Sequence, residues 1–172
     1  MNNNQERLYN LADSIVDPNI RSITNLLLLQ APQSFWTKPS AINHHNEEDR
    51  GPEGNLKHSI KVAAMFLELA EAVKLSQYDK DVGLSGSILH DVKKYGPDGT
   101  APYTLRNHDA IACQWVLQEF PMDVDANAIA TAIACHAGIW GTVPHTPKIS
   151  REDLLHIADY VVSRSGIEYK IP

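Results

Sequence analysis

Cysteine is scarce in this chain: 172 residues contain two, Cys113 and Cys135. Two thiols do not make a disulfide scaffold. The start, Met1-Asn2-Asn3-Asn4-Gln5-Glu6, lacks the basic and apolar stretches of a secretory signal. The expectation is a cytoplasmic protein with both thiols reduced. Long apolar runs are also missing. The densest, Leu26-Leu27-Leu28-Leu29, falls far short of the roughly 20 residues that cross a bilayer, so no membrane partner is expected. Positive charge is in deficit, with a formal net charge of −6. That argues against a nonspecific nucleic-acid coat, which needs a basic face. It does not argue against an anionic substrate, because bound divalent metals reverse the potential of an acidic pocket. Low-complexity tracts, internal repeats and paired alternating segments are absent.

What is present is helical periodicity. Apolar residues make up 43% of the chain, enough for a substantial core. Leu8, Leu11 and Ile15 recur at helical spacing up to Asp17-Pro18, and Ile20, Ile23, Leu27 and Ala31 continue to Pro32. Residues 32–57 read as irregular, broken by Pro32, Pro39, Gly51, Pro52 and Gly54. Helices are then expected over about 56–75, 80–94, 107–120, 125–137 and 150–166, the last opened by a capping-box-like Ser150 and Asp153. The fold class is all-α, a compact bundle of about seven helices.

Histidine is abundant, with eight in the chain: His44, His45, His58, His90, His108, His136, His145 and His156. His58 falls near the start of one predicted helix, His90 and Asp91 near the end of the next. His108 opens a third, His136 closes a fourth, and Asp159 lies in the last. Five helices thus each bring a metal-competent group, mostly near an end, where side chains can meet in one cleft. Neighbours on a helix point about 100° apart, so His90 and Asp91 serve one metal only if other helices complete its shell or the carboxylate bridges two ions. Imidazole nitrogen with carboxylate oxygen suits Mn, Fe, Ni, Co or Zn, with Mg a weaker candidate.

The ordered segments "GNLKHSIKVA", "GSILHDVKKYG", "YTLRNHDAIACQWV", "IACHAGIWG" and "LLHIADYVVSR" resemble the HD-domain superfamily of metal-dependent phosphohydrolases. The lead-in "NHHNEEDRGPEGNLKH" is similar to that of HD domains in some exoribonucleases. The resemblance spans about residues 40–165. It implies one HD domain over 1–172, with helices of 1–35 packed on a core of 40–165. It also implies that His58, His90, Asp91 and Asp159 hold one metal, and that His108 and His136 hold a second with Asp91 bridging. Some two-metal members carry a histidine pair at the fourth position, where this chain reads Cys135-His136-Ala137. One or two divalent ions are therefore expected.

The reaction implied is hydrolysis of a nucleotide or related phosphate ester by a metal-activated water, oriented by Asp91. Lys94 occupies the place of the family's common lysine, one turn beyond His90, and is the candidate clamp on a phosphate oxygen. Arg106, Arg164 and His45 are further candidates for substrate contact. A small soluble substrate is favoured over a nucleic acid. Two alternatives stand beside this reading. Certain HD-fold enzymes use the same four-His, two-Asp order for a mixed-valent di-iron oxygenase, and other HD modules bind nucleotides without turnover. Elsewhere, Cys113, Cys135, Trp36 and Trp115 read as packing residues and Lys93 as solvated. Glu47-Glu48-Asp49 reads as an exposed loop, His156 as a support or surface residue, and Trp140 as a packing residue or the flank of a base.

Overall fold

Eight helices and no strand make up the regular structure of the computed structural model, which describes residues 2–41, 45–142, 150–164, 166, 167 and 169. In order they are α1 (Asn3–Asp13), α2 (Pro18–Leu29), α3 (Gln33–Thr37), α4 (Gly54–Ala72), α5 (Gln77–Leu89), α6 (His108–Glu119), α7 (Val124–Cys135) and α8 (Arg151–Val162). Among these residues no helix is long and apolar enough to cross a membrane. His44 and His145 lie outside the described residues.

Side-chain caps set most helix starts. Asn2 and Gln5 form a capping box on α1, and Asp17 accepts from the amides of Asn19 and Ile20 with Pro18 in the first turn of α2. Ser76, Asp123 and Ser150 cap α5, α7 and α8, the last through the Asp153 amide as its spacing predicts. Asp81 is buried on α5 and accepts from the amides of Val16 (3.2 Å) and Asp17 (2.8 Å). It thereby ties the α1–α2 corner to the core.

The packing centres on α5, which contacts α1, α2, α4, α7 and α8. From Asp81 onward this helix is buried on every side. Small residues at Gly83, Ser85, Gly86 and Ser87 let the neighbouring helices approach, and the Phe66 ring of α4 lies over Gly83. Phe66, Ile88, Leu89 and Ile129 are fully buried there. Each contributes on the order of 1.5–3 kcal/mol of burial. The buried Thr24 hydroxyl donates to the Ile20 carbonyl and accepts from Ser85, leaving no unpaired group at that crossing.

The elements depart from expectation in two places. Residues 32–57 are not wholly irregular: Pro32, which stops α2, also starts α3, and Glu47–Arg50 forms a 3-10 turn. The fifth helix runs Gln77–Leu89 rather than to residue 94. Its C-cap is His90, whose Nδ1 donates to the Ser87 carbonyl at 2.8 Å. That carbonyl is one of the orphans of the last turn, so the imidazole takes over where the helical ladder ends.

Candidate metal centre

Three histidines use the same local device. His90 caps α5, His136 caps α7, and His108 is the first residue of α6. Their Nδ1 atoms donate to the carbonyls of Ser87 (2.8 Å), Ile133 (2.6 Å) and Leu105 (2.8 Å) respectively, each three residues earlier. A carbonyl only accepts, so Nδ1 carries the proton in all three rings. Each Nε2 is then a lone pair when the ring is neutral, and the backbone has set its direction.

Those lone pairs converge. His90 Nε2 lies 3.3 Å from His58 Nε2, and His108 Nε2 lies 3.2 Å from His136 Nε2. Asp159, reaching in from α8, places Oδ1 2.9 Å from His58 Nε2. Asp91 lies beyond the end of α5, so the helical angle does not force it away from His90. Its Oδ1 is 3.1 Å from His108 Nε2, while its Oδ2 is 3.5 Å from His90 Nε2 and 3.7 Å from His58 Nε2. One carboxylate therefore faces both histidine pairs. The Lys94 ammonium bonds Asp91 Oδ2 and lies 3.1 Å from Ser40 Oγ, whose hydroxyl is 3.1 Å from His45 Nε2.

The electrostatics follow from burial and these contacts. Burial pushes His90 down to about 3, against the opposing pull of Asp91 and Asp159, and lowers His136 as well. Burial works the same way on His108, but its hydrogen bond to Asp91 prevails and the net shift is upward. Burial favours neutral carboxyls, yet Asp91 and Asp159 stay well below the ordinary range. The causes are Lys94 and the imidazoles beside Asp91, and the hydrogen bond from His58 with neighbouring imidazoles beside Asp159.

His58 is held differently. Its Nδ1 is buried with no hydrogen-bond partner, and so are Nδ1 of His45 and Oδ2 of Asp49. One ligand-competent atom from each of these three residues lies within 4.8 Å of the other two. Gly54 brings the loop this close: a Cβ there would stand 1.9 Å from the Asp49 carbonyl oxygen. Asp49 is thus not part of an exposed loop. Glu47 and Glu48 are exposed, but Asp49 is fully buried and its Oδ1 bonds the Lys61 ammonium at 2.8 Å. Sequence reasoning missed Asp49 because its partner Lys61 sits twelve residues away with no motif joining them.

The remaining predicted residues line the mouth. A cavity of about 480 Å³ is bordered by Asp91, Lys94, Arg106, His108, His136 and Asp159 among others. A second of about 490 Å³ shares His45, His108, Trp140 and Asp159 with it and adds Arg164. His156 borders the second cavity and also supports the cluster, donating Nδ1 to the His136 carbonyl at 2.7 Å. Lys93, expected in solvent, is 7% exposed. Its ammonium sits 4.2 Å over the Trp115 ring and donates to the Pro97 carbonyl, because the turns after α5 carry it back onto α6.

The donors fit a transition-metal ion. Two ligand atoms at right angles, each about 2.1 Å from one ion, stand about 3 Å apart, which is the spacing of the closest pairs here. Imidazole nitrogens mixed with carboxylates match Mn, Fe, Ni, Co or Zn better than Ca or Mg. The facing Nε2 lone pairs also need a cation or a proton between them.

These features coincide with a known sequence family. Residues 55–163 match the HD domain model, and the chain belongs to the HD-domain family. Among curated proteins it is similar to the 3'-5' exoribonuclease YhaM of Listeria monocytogenes serotype 4b (strain CLIP80459). The two are 26% identical over 155 residues, covering 82% of this chain and 47% of that protein. YhaM of Bacillus pumilus (strain SAFR-032) is 27% identical over 157 residues, covering 83% and 48%. The chain spans about half the length of the curated relatives it matches. No solved structure matches it.

Proposed function

We propose that this chain is a metal-dependent phosphohydrolase acting on a nucleotide or related phosphate ester. The observation that carries the reading is Asp91, whose two oxygens face two histidine pairs across a buried cluster. In this reading His58, His90, Asp91 and Asp159 hold one divalent ion, and His108 and His136 hold a second that shares Asp91. A metal bound there acidifies water and neutralises phosphoryl oxygens. The protein's own contribution is to orient. Three backbone carbonyls fix the histidine tautomers, and Asp91 sits where it can align water with phosphorus. Lys94, beside Asp91 and on the cavity wall, supplies a cation for a phosphate oxygen. Arg106 and Arg164 border the two cavities and are placed to meet outlying phosphates. Cavities near 480–490 Å³ suit a ligand of mononucleotide size. The named activity of the exoribonuclease relatives supports phosphodiester hydrolysis and keeps a short RNA in the list of substrates to try. Residues 1–172 act in this reading as one HD domain, with α1 and α2 packed on the core through Asp81.

The test is a panel of nucleoside mono- and triphosphates, cyclic nucleotides, generic phosphodiesters and short RNA, each with Mn, Ni, Co, Mg or Fe, in air and without oxygen. Metal-dependent ester hydrolysis that persists anaerobically and disappears in Asp91→Ala supports the assignment. Oxygen uptake with iron, and no anaerobic turnover, would replace it with the oxygenase reading.

A further inference from the structure

Trp140 is 60% exposed, yet its backbone is held from both sides. It ends a 3-10 turn, Gly138–Trp140, that begins at φ +56°. A Cβ on Gly138 would stand 2.4 Å from the His156 ring, so the turn rests directly on that imidazole. His156 in turn bonds the His136 carbonyl. Just past the turn, Asp109 accepts from both the amide (2.7 Å) and the hydroxyl of Thr142. The backbone that carries this exposed indole is thus held four residues past His136 of the cluster.

Its ring lies parallel to Tyr160, with centroids 5.6 Å apart and planes 7° apart. The Arg164 guanidinium stands 3.9 Å from the Tyr160 ring, and its Nε is buried without a partner. Trp140, Tyr160 and Arg164 wall the cavity of about 490 Å³ that His108 and Asp159 also border. The aromatic wall and the ligand cluster therefore face one space.

We propose that Trp140 and Tyr160 form a stacking shelf for the nucleobase of a nucleoside phosphate whose phosphate lies at the His–Asp cluster. The inference rests on the phosphohydrolase reading and names the substrate class it leaves open. A flat ring suits a planar indole wall, and base–aromatic stacking tolerates any base because every base has a π face. Stacking by itself selects for a base without selecting which one, and Ser163 and Arg164 on the same wall are the groups placed to meet its polar edge. Ile139 and Ile157 are exposed nearby, which gives a flat protein partner as the competing occupant. The concave wall shared with His108 and Asp159 favours the nucleotide.

The experiment compares wild type, Trp140→Ala and Trp140→Phe. Selectivity is read as kcat/KM for a nucleotide ester divided by kcat/KM for a ring-free phosphate ester of similar charge. Calorimetry on the metal-loaded protein compares a nucleoside monophosphate with ribose 5-phosphate. Trp140→Ala is expected to lower the selectivity ratio about tenfold, chiefly through KM, and Trp140→Phe to recover most of it. Calorimetry should give tighter binding of the nucleoside monophosphate in wild type and not in Trp140→Ala. An unchanged ratio, or equal binding of the two ligands by wild type, overturns the shelf. If wild type hydrolyses no ester, the phosphohydrolase reading fails, and the binding comparison still decides the shelf independently.

Discussion

His108 and His136 present Nε2 atoms to each other at 3.2 Å, with both Nδ1 protons already donated to the carbonyls of Leu105 and Ile133. Two neutral rings in that state oppose lone pair to lone pair. A proton relieves the conflict: Asp91 Oδ1, 3.1 Å from His108 Nε2, favours the imidazolium there. A divalent ion relieves it better, by accepting from both rings at once.

That relationship predicts stoichiometry. The wild-type protein should bind two divalent ions per chain, and His136→Ala should bind one, measured by metal analysis after gel filtration. His90 and His58 furnish the other ion without His136, so the remaining equivalent should be retained. A wild-type protein that never exceeds one equivalent, whatever the metal supplied, would remove the second site from the proposal.

Acid should destabilise the metal-free protein. His90 has a folded-state value of about 3 against an ordinary 6.5, so the unfolded chain binds more protons between these values. Its stabilising contribution is full above about 6.5 and lost as pH falls toward 3, at roughly 1.4 kcal/mol per pH unit. His136 shifts in the same direction. Asp91 and Asp159, held low, also contribute stability that is lost as pH falls. His108, held high, works the opposite way, its contribution being lost as pH rises. The net expectation is a melting temperature in chelator that drops from pH 7 to pH 5. A flat or rising profile would contradict the buried neutral assignment of His90.

Asp49 should tune metal affinity although it lies outside the proposed ligand set. His58 donates no Nδ1 proton to a backbone carbonyl, unlike the other three rings. Asp49 and His45, which also carry unpartnered buried atoms, each bring a ligand-competent atom within 4.8 Å of one on His58. Histidine ligands depend on such partners for orientation and basicity, with losses of about 10–100-fold when they are removed. Asp49→Asn is therefore expected to weaken divalent-metal binding on that scale in an equilibrium titration. Lys61→Met, which removes the ammonium from the far side of the carboxylate, serves as the companion variant. Unaltered isotherms in both would reduce Asp49 to a purely structural partner of Lys61.

Much of the fold was legible along the chain because helices announce themselves locally. Periodic apolar residues and caps such as Ser150 need no partner at long range. The order His58, His90-Asp91, His108, His136, Asp159 was equally legible, since side chains near helix ends have few places to go but a shared cleft. Less legible were the features that depend on a distant or competing group. The end of α5 was misjudged because the His90 side chain, not the apolar pattern, claims the Ser87 carbonyl. Lys93 and Asp49 were read as solvent-facing because nothing local marks Trp115 or Lys61 as their partners.

The sequence by itself thus determined an all-α chain of the HD-domain family and singled out six candidate ligands, which the fold brings into one cluster. Those conclusions rest on short-range periodicity and on ordered segments, each readable within one helix. Only the tertiary structure decided the direction of each ring, the double-facing position of Asp91, the burial of Asp49 and the exposure of Trp140. Each of these depends on which backbone carbonyl, carboxylate or ring a side chain meets from another element. A one-dimensional pattern specifies which groups are available, and packing specifies which of them meet.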